Sequence, residues 1–157
     1  MKGNVQVLIT VDSNIWIYYL DPTINEHKPA LDYVEDLIRH EEVLSSTIIW
    51  LEVSHYLYKT SSIPKEKLCD TLSRLVRLSS MHVIDFDMEL YFETIKVLGE
   101  FRNHHKIGFS IGGRDASIIA MMKKYRVKTI VTHDRDFIRL AEKGIIHILD
   151  PISSQRK

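Results

Sequence analysis

Short β-branched runs alternate along this chain with segments of helical apolar spacing, and that alternation restricts the fold more than any other feature. Val5–Val11 (VQVLITV) is almost wholly apolar, as expected of a parallel strand covered on both faces, so it should lie centrally in a sheet. Further strands are predicted at Val43–Ser46, His82–Asp85, Val127–Thr132 and Ile145–Leu149. Helices are predicted between them. The first covers Ile15–Leu20, stopped by Asp21-Pro22, and a second starts near Pro29 with Leu31, Val34, Leu37 and Ile38 on one face. A third runs from Ser46 or Thr47 to about Lys59, and Pro64 starts a fourth with Leu68, Leu72, Leu75 and Val76. The rest run from Asp87 to Arg102, from Asp115, and over Phe137–Glu142, with a glycine-containing loop from His104 to Gly113. This order implies a three-layer α/β/α domain on a mainly parallel sheet of about five strands, joined by right-handed crossovers. One domain is expected over residues 1–152, with 153–157 a frayed tail.

Composition narrows the function classes. At 157 residues and 45% apolar content the chain can bury one sizeable core. No apolar run approaches the roughly 20 residues of a membrane span, and Met1–Asn4 leads straight into a strand-like run rather than a signal peptide. A cytoplasmic protein without membrane association is therefore expected. The single cysteine, Cys69, excludes an internal disulfide and a multi-cysteine zinc site, and its helical setting suggests a packing role. Acids and bases balance at 21 each, so total charge points to no polyanion. Locally, however, Lys96 to Lys128 carries eight bases against Glu100 and Asp115. Such a segment is either a solvated helix face or a phosphate contact, for which Arg102, Lys106, Arg114 and Lys123 are the candidates.

The acids carry the chemical signal. Asp12 ends the first strand, and Asp134 and Asp136 follow the fourth. If those strands are parallel neighbours, the carboxylates meet at the sheet edge where open α/β folds bind ligands. Asp115 heads the helix that leads into the fourth strand. Each aspartate alone could equally be a helix cap. Glu52 lies mid-helix, four residues from Ile48 and from Tyr56 and beside Leu51 on what should be the buried stripe. A carboxylate there needs a cation or a donor, either a neighbouring helix's base or a shared cleft. Clustered carboxylates repel one another, and a divalent cation resolves the repulsion. Oxygen ligands without cysteine favour Mg²⁺ or Mn²⁺ over zinc, and one or two such ions suit phosphodiester hydrolysis. Asn14 could orient a carboxylate or a water, and His133 could carry a proton or lie at the surface.

Four segments, V-D-S-N at 11–14, S-S-T-I-I-W-L-E-V at 45–53, G-G-R-D-A at 112–116 and T-H-D-R-D-F at 132–137, occur in an order and separation that resemble the PIN-domain ribonucleases. The resemblance is greatest to the VapC-like toxins of prokaryotic toxin–antitoxin pairs. It implies a metal-dependent endoribonuclease in which Asp12, Glu52, Asp115 and Asp134 form an acidic quartet binding one or two Mg²⁺ or Mn²⁺ ions. Asp136 matches a further acid, and Asn14 and Thr132 match supporting polar residues. It also implies an RNA substrate, a homodimer and a small antitoxin partner. Two other readings compete: a non-cutting PIN-like module that binds RNA or protein, and an aspartate-based phosphatase or phosphotransferase. The first would be expected to lose some of the four acids. The haloacid dehalogenase version of the second needs Asp-x-Asp after the first strand, where this chain has Asn14. Finally, Ile15-Trp16-Ile17-Tyr18-Tyr19-Leu20 is too uniformly apolar for one buried face, so either part of it lies in a homodimer or antitoxin interface or the whole run is core.

Overall fold

The computed structural model describes residues 8–103 and 111–153. Its five strands are β1 (Leu8–Val11), β2 (Glu42–Ser46), β3 (Met81–Ile84), β4 (Thr129–Val131) and β5 (His147–Leu149). They form one sheet in the order β3-β2-β1-β4-β5, every neighbouring pair parallel. Among the described residues seven helices flank it: α1 (Ser13–Leu20), α2 (His27–His40), α3 (Thr47–Thr60), α4 (Lys65–Leu75), α5 (Met88–Asn103), α6 (Gly113–Lys124) and α7 (Arg135–Glu142). This is the expected three-layer α/β/α arrangement with β1 at its centre. Val5–Val7, most of the loop from His104 to Gly113, and the tail beyond Ser153 lie outside the described residues.

The winding fixes where a site can form. From β1 the chain steps to β2 and β3 in one direction; it then crosses back over β1 to β4 and continues to β5. Right-handed crossovers place α1 to α4 on one face of the sheet and α5 to α7 on the other. Packing agrees, since α1 meets α2 and α3 while α5 meets α6. The direction of winding reverses between β1 and β4, which leaves a crevice beyond their carboxyl ends. Their register, Thr10 opposite Ile130 and Val11 opposite Val131, aligns the first residues past the two strands.

Local chemistry sets the element ends. Asp12 caps α1 by accepting the Ser13 N–H at 2.7 Å, and Asp87 caps α5 through the Leu90 N–H at 2.8 Å. Pro64 precedes α4, and Asp21 closes α1 with its N–H on the Ile17 carbonyl at 2.9 Å. Gly144 takes φ 71° just past α7, a left-handed turn that a glycine adopts without steric cost.

Three expectations need correction. The apolar run of α1 is mostly core: Ile15, Trp16, Ile17 and Leu20 are buried, with the Trp16 ring 5.0 Å from that of Trp50, and only Tyr18 and Tyr19 are half-buried. A helix that is apolar on most sides is covered on most sides, here by α2 and α3. Cys69 is exposed, because Leu68, Leu72 and Leu75 carry the buried face of α4. Leu51 is 70% exposed, because the stripe that α3 buries runs through Ile49, Trp50, Val53 and Leu57. Replacing Trp16 by alanine is therefore expected to cost about 3–5 kcal/mol. Leu51→Ala should stay within about 0.5 kcal/mol, and urea unfolding of the two variants measures both.

Candidate functional site

Four acids reach the β1–β4 crevice from four separate junctions: Asp12 between β1 and α1, Glu52 in the second turn of α3, Asp115 in the first turn of α6, and Asp134 at the cap of α7. Sheet pairing continues past the strands, with the Asp12 N–H on the Val131 carbonyl at 2.9 Å and the Thr132 N–H on the Leu149 carbonyl at 3.0 Å. Thr132 then ties two acids together. Its hydroxyl donates to Asp12 Oδ2 at 2.8 Å and accepts the Asp134 N–H at 3.0 Å. Asp134 Oδ1 accepts the Asp136 N–H at 2.8 Å, which leaves Oδ2 to face the crevice.

The guanidinium of Arg114 stands among these carboxylates. Nη1 lies 2.5 Å from Glu52 Oε1, Nε and Nη2 lie 2.9 and 2.8 Å from Asp115 Oδ1, and Nη2 lies 3.5 Å from Asp134 Oδ2. Burial pushes the Asp12 carboxyl up from 3.8 to about 6. The Arg114 charge, the Thr132 hydroxyl and the Ser13 N–H oppose that rise, while the charge of Asp115 adds to it. Burial likewise raises Asp115 against Arg114, with Asp134 and Asp136 adding to the rise. Burial by itself would lower Arg114; the carboxylates of Asp12 and Asp115 and the bonds to Glu52 and Asp115 hold it above the usual arginine range instead.

Donor chemistry suits a hard divalent cation. Carboxylate oxygens dominate the crevice, and one of them, Glu52 Oε2, is buried without a hydrogen-bond partner, as is Asn14 Oδ1 two residues after Asp12. With Arg114 in place, no three histidine, cysteine or acidic side chains among the described residues stand close enough to close around one ion. The crevice thus has the right donors, held in an arrangement that a guanidinium satisfies.

Other predicted residues fall in different places. Asp136 pairs with Arg139 at 3.2 Å on its own helix. His133 is held at Nδ1 by both oxygens of Asp150, at 3.0 and 3.1 Å. Burial would raise Asp150, but the Ser153 hydroxyl and His133 bring it below the usual carboxylate range. Lys123 pairs with Glu100 at 2.6 Å, eight residues and roughly 12 Å along α6 from Asp115. Arg102 is exposed near the end of α5, and Lys106 lies outside the described residues. Sequence reasoning took Arg114 as a phosphate contact and missed its place among the acids; its adjacency to Asp115 was the available signal. It also passed over Asp150, although an Asp-Pro pair just past a strand marks a turn in which aspartate binds backbone N–H groups, as it does here for Ile152 and Ser153.

Comparison with known proteins gives a consistent family. The profile of the PIN domain matches residues 9–143. No curated protein matches the chain in sequence. Among solved structures, VapBC2 from Rickettsia felis, bound to a DNA fragment from its promoter, aligns with TM-score 0.65 and 21% identity over 92% of this chain and 98% of that one. VapC20 from Mycobacterium tuberculosis, a Sarcin-Ricin loop cleaving toxin, aligns with TM-score 0.65 and 16% identity over 88% and 96%. DNA-bound VapBC from Salmonella typhimurium aligns with TM-score 0.62 and 20% identity over 93% and 99%.

The Asp12 environment sets a pH dependence. A carboxyl that titrates at about 6 in the fold and near 3.8 in the unfolded chain adds stability that is complete below 3.8 and is lost as pH rises through 6. In metal-free buffer the protein should therefore lose on the order of 3 kcal/mol from this group between pH 4 and pH 7. Asp12→Asn removes the ionisation, so its thermal midpoint at pH 7.5 in EDTA should exceed that of wild type by about 5 °C. The advantage should shrink toward pH 5, as calorimetry across that range would record.

Proposed function

The chain belongs to the PIN domain family, and we propose that it is a metal-dependent endoribonuclease of the VapC toxin type. The observation that carries this reading is the meeting of four carboxylates from four elements at the switch between β1 and β4, one of them fully buried and one with an unpartnered oxygen. Clustering of that kind is costly without a cation to answer it.

In this reading Asp12, Glu52, Asp115 and Asp134 hold one or two Mg²⁺ or Mn²⁺ ions, with Asn14 Oδ1 beside them. A bound ion of this type lowers the pKa of an attacking water and steadies charge on the phosphodiester. The protein's own residues position that chemistry. Thr132 locks Asp12 and Asp134 at a fixed separation through its single hydroxyl, and Asp136 N–H fixes the Asp134 rotamer. Asp150 orients the His133 ring from Nδ1, which suits it to hand on a proton. Beside Arg114 a shallow hollow walled by Ile48, Leu51 and His55 offers an apolar seat for a nucleotide next to the scissile bond. Arg114 is the nearest candidate for the RNA phosphate among the described residues, with Arg102 and Lys123 further out; Lys106 stays a candidate on sequence alone.

The neighbouring VapBC structures support a small antitoxin as partner. A cytoplasmic location belongs to the same proposal; no helix among the described residues is long and apolar enough to cross a membrane. A homodimer, which the family likeness implies, would use α5 rather than α1. Met88, Tyr91, Phe92 and Ile95 stand exposed on it at the spacing of one helix face, Met88 by 64% and Phe92 by 54%.

End-labelled single-stranded RNA should be cut by the purified protein in Mg²⁺ or Mn²⁺ and left whole in EDTA. Asp115→Asn should lower the rate by at least about 100-fold while the circular dichroism spectrum stays that of the fold. Chelator-insensitive RNA binding without cleavage would instead mark a binding module, and a trapped phosphoaspartate a phosphotransferase. Phe92→Glu should weaken self-association by about tenfold or more, and a wild-type protein that sediments as a monomer at high concentration would remove the dimer.

A further inference from the structure

Arg114 and a divalent cation want the same oxygens. The guanidinium engages Glu52, Asp115 and Asp134, three of the four carboxylates assigned above to metal. Its partners come from three elements, α3, α6 and the cap of α7, with sequence separations of 62 residues to Glu52 and 20 to Asp134. An arginine that reaches across the mouth of the crevice in this way is held by the site itself. One turn of α6 fixes its backbone next to Asp115, and the planar fork matches carboxylate geometry.

We propose that Arg114 is a built-in counter-ion occupying the place of the metal, so that a divalent cation enters only by displacing the guanidinium from Glu52, Asp115 and Asp134. The proposal rests on the metal-dependent reading of this site. Without a cation the four acids would repel one another across a partly desolvated crevice, and a single guanidinium relieves that repulsion for the metal-free protein. Arg114 remains 34% exposed, so it can swing out into solvent without opening the core. Glu52 Oε2 is buried and left unpartnered by the arginine, and it supplies an additional contact through which a doubly charged ion can outcompete a singly charged group. Arginine-closed and metal-loaded states then exclude each other. Apparent metal affinity is the intrinsic affinity multiplied by the fraction of molecules in which Arg114 is away from the acids. The protein would stay folded and unloaded at low divalent ion and load only above a threshold set by this one side chain.

Two measurements on the full chain test this. In the first, Mg²⁺ is titrated into ¹⁵N-labelled protein, and the Nε–Hε resonance of Arg114 is followed, identified by its absence from Arg114→Lys. It should be shifted and protected from exchange in EDTA and should move to the position of a solvated arginine as Mg²⁺ saturates. In the second, Mn²⁺ is titrated calorimetrically into wild type, Arg114→Gln and Arg114→Lys. The glutamine variant should bind about ten- to hundredfold more tightly than wild type, with lysine between the two because it keeps the charge without the fork. Equal affinities, or an Arg114 resonance unmoved while Mg²⁺ binds, would overturn the proposal and leave the metal reading standing. No binding of Mn²⁺ by any of the three proteins would overturn both. Should the glutamine variant fail to fold, the wild-type resonance and the lysine variant still decide.

Discussion

The rest of the molecule depends on the parallel pairing of β1 with β4. These strands lie far apart in the chain, and the residues just past them, Asp12 and Thr132, are separated by 120 positions yet share a hydrogen bond of 2.8 Å. Each strand starts a run that winds away from the other, so the helices that follow them diverge to opposite faces of the sheet. The gap between them is where backbone ends, helix caps and acidic side chains can converge without a packed layer above. A one-residue slip in the Val11–Val131 register would turn the alternate side chains inward, and Asp12 and Thr132 would no longer meet.

That convergence sets an electrostatic problem, which the structure answers in layers. Asp12, wholly out of solvent, receives the Ser13 N–H and hydroxyl on Oδ1 and the Thr132 hydroxyl on Oδ2. Asp115 sits in the first turn of α6, where the helix dipole favours a negative charge. Glu52 and Asp134 reach the same guanidinium. Even so, burial wins at Asp12, whose carboxyl remains well above its ordinary range. A crevice still short of positive charge after all its internal partners are counted is poorly arranged for stability, since apolar side chains of similar volume would do at least as well. It is well arranged for receiving a cation.

Much of this was legible in the chain. The β-branched run ending at Val11 announced a central parallel strand, and Asp12 is readable as both the end of that strand and the cap of the next helix. The alternation of elements implies a parallel sheet, which would bring Asp12 and Asp134 to one edge if β1 and β4 were neighbours; that they are neighbours is read from the fold. What was not legible depends on long-range neighbours. The apolarity of α1 on every side reads as an excess to be covered by another molecule, because nothing within α1 encodes that α2 and α3 will both pack on it. Leu51 and Trp50 differ by one position and 100° of helix rotation, and periodicity over a short helix does not fix which of them points inward. The run of bases from Lys96 to Lys128 looked like a free positive face. In the fold Lys96 meets Glu93, Lys123 meets Glu100, Lys124 meets Glu89, and Arg114 is held by acids that no local pattern connects to it.

Arginine rather than lysine at position 114 has a physical logic. A lysine ammonium is a compact point charge that would settle on one carboxylate and leave the others facing each other, whereas the guanidinium presents donors along two edges and bridges Glu52, Asp115 and Asp134 at once. Its charge is also constant: the surrounding acids raise its pKa further, so it stays cationic at any pH at which the protein folds. Burial pushes the carboxyls of Asp12 and Asp115 upward against the charge of Arg114. As pH falls toward the range where they protonate, the negative charge that holds Arg114 and the negative charge that would attract a metal decline together. At a given pH the two cations compete for the same carboxylates of Glu52, Asp115 and Asp134, and the concentration of the divalent ion is the variable to which this arrangement responds.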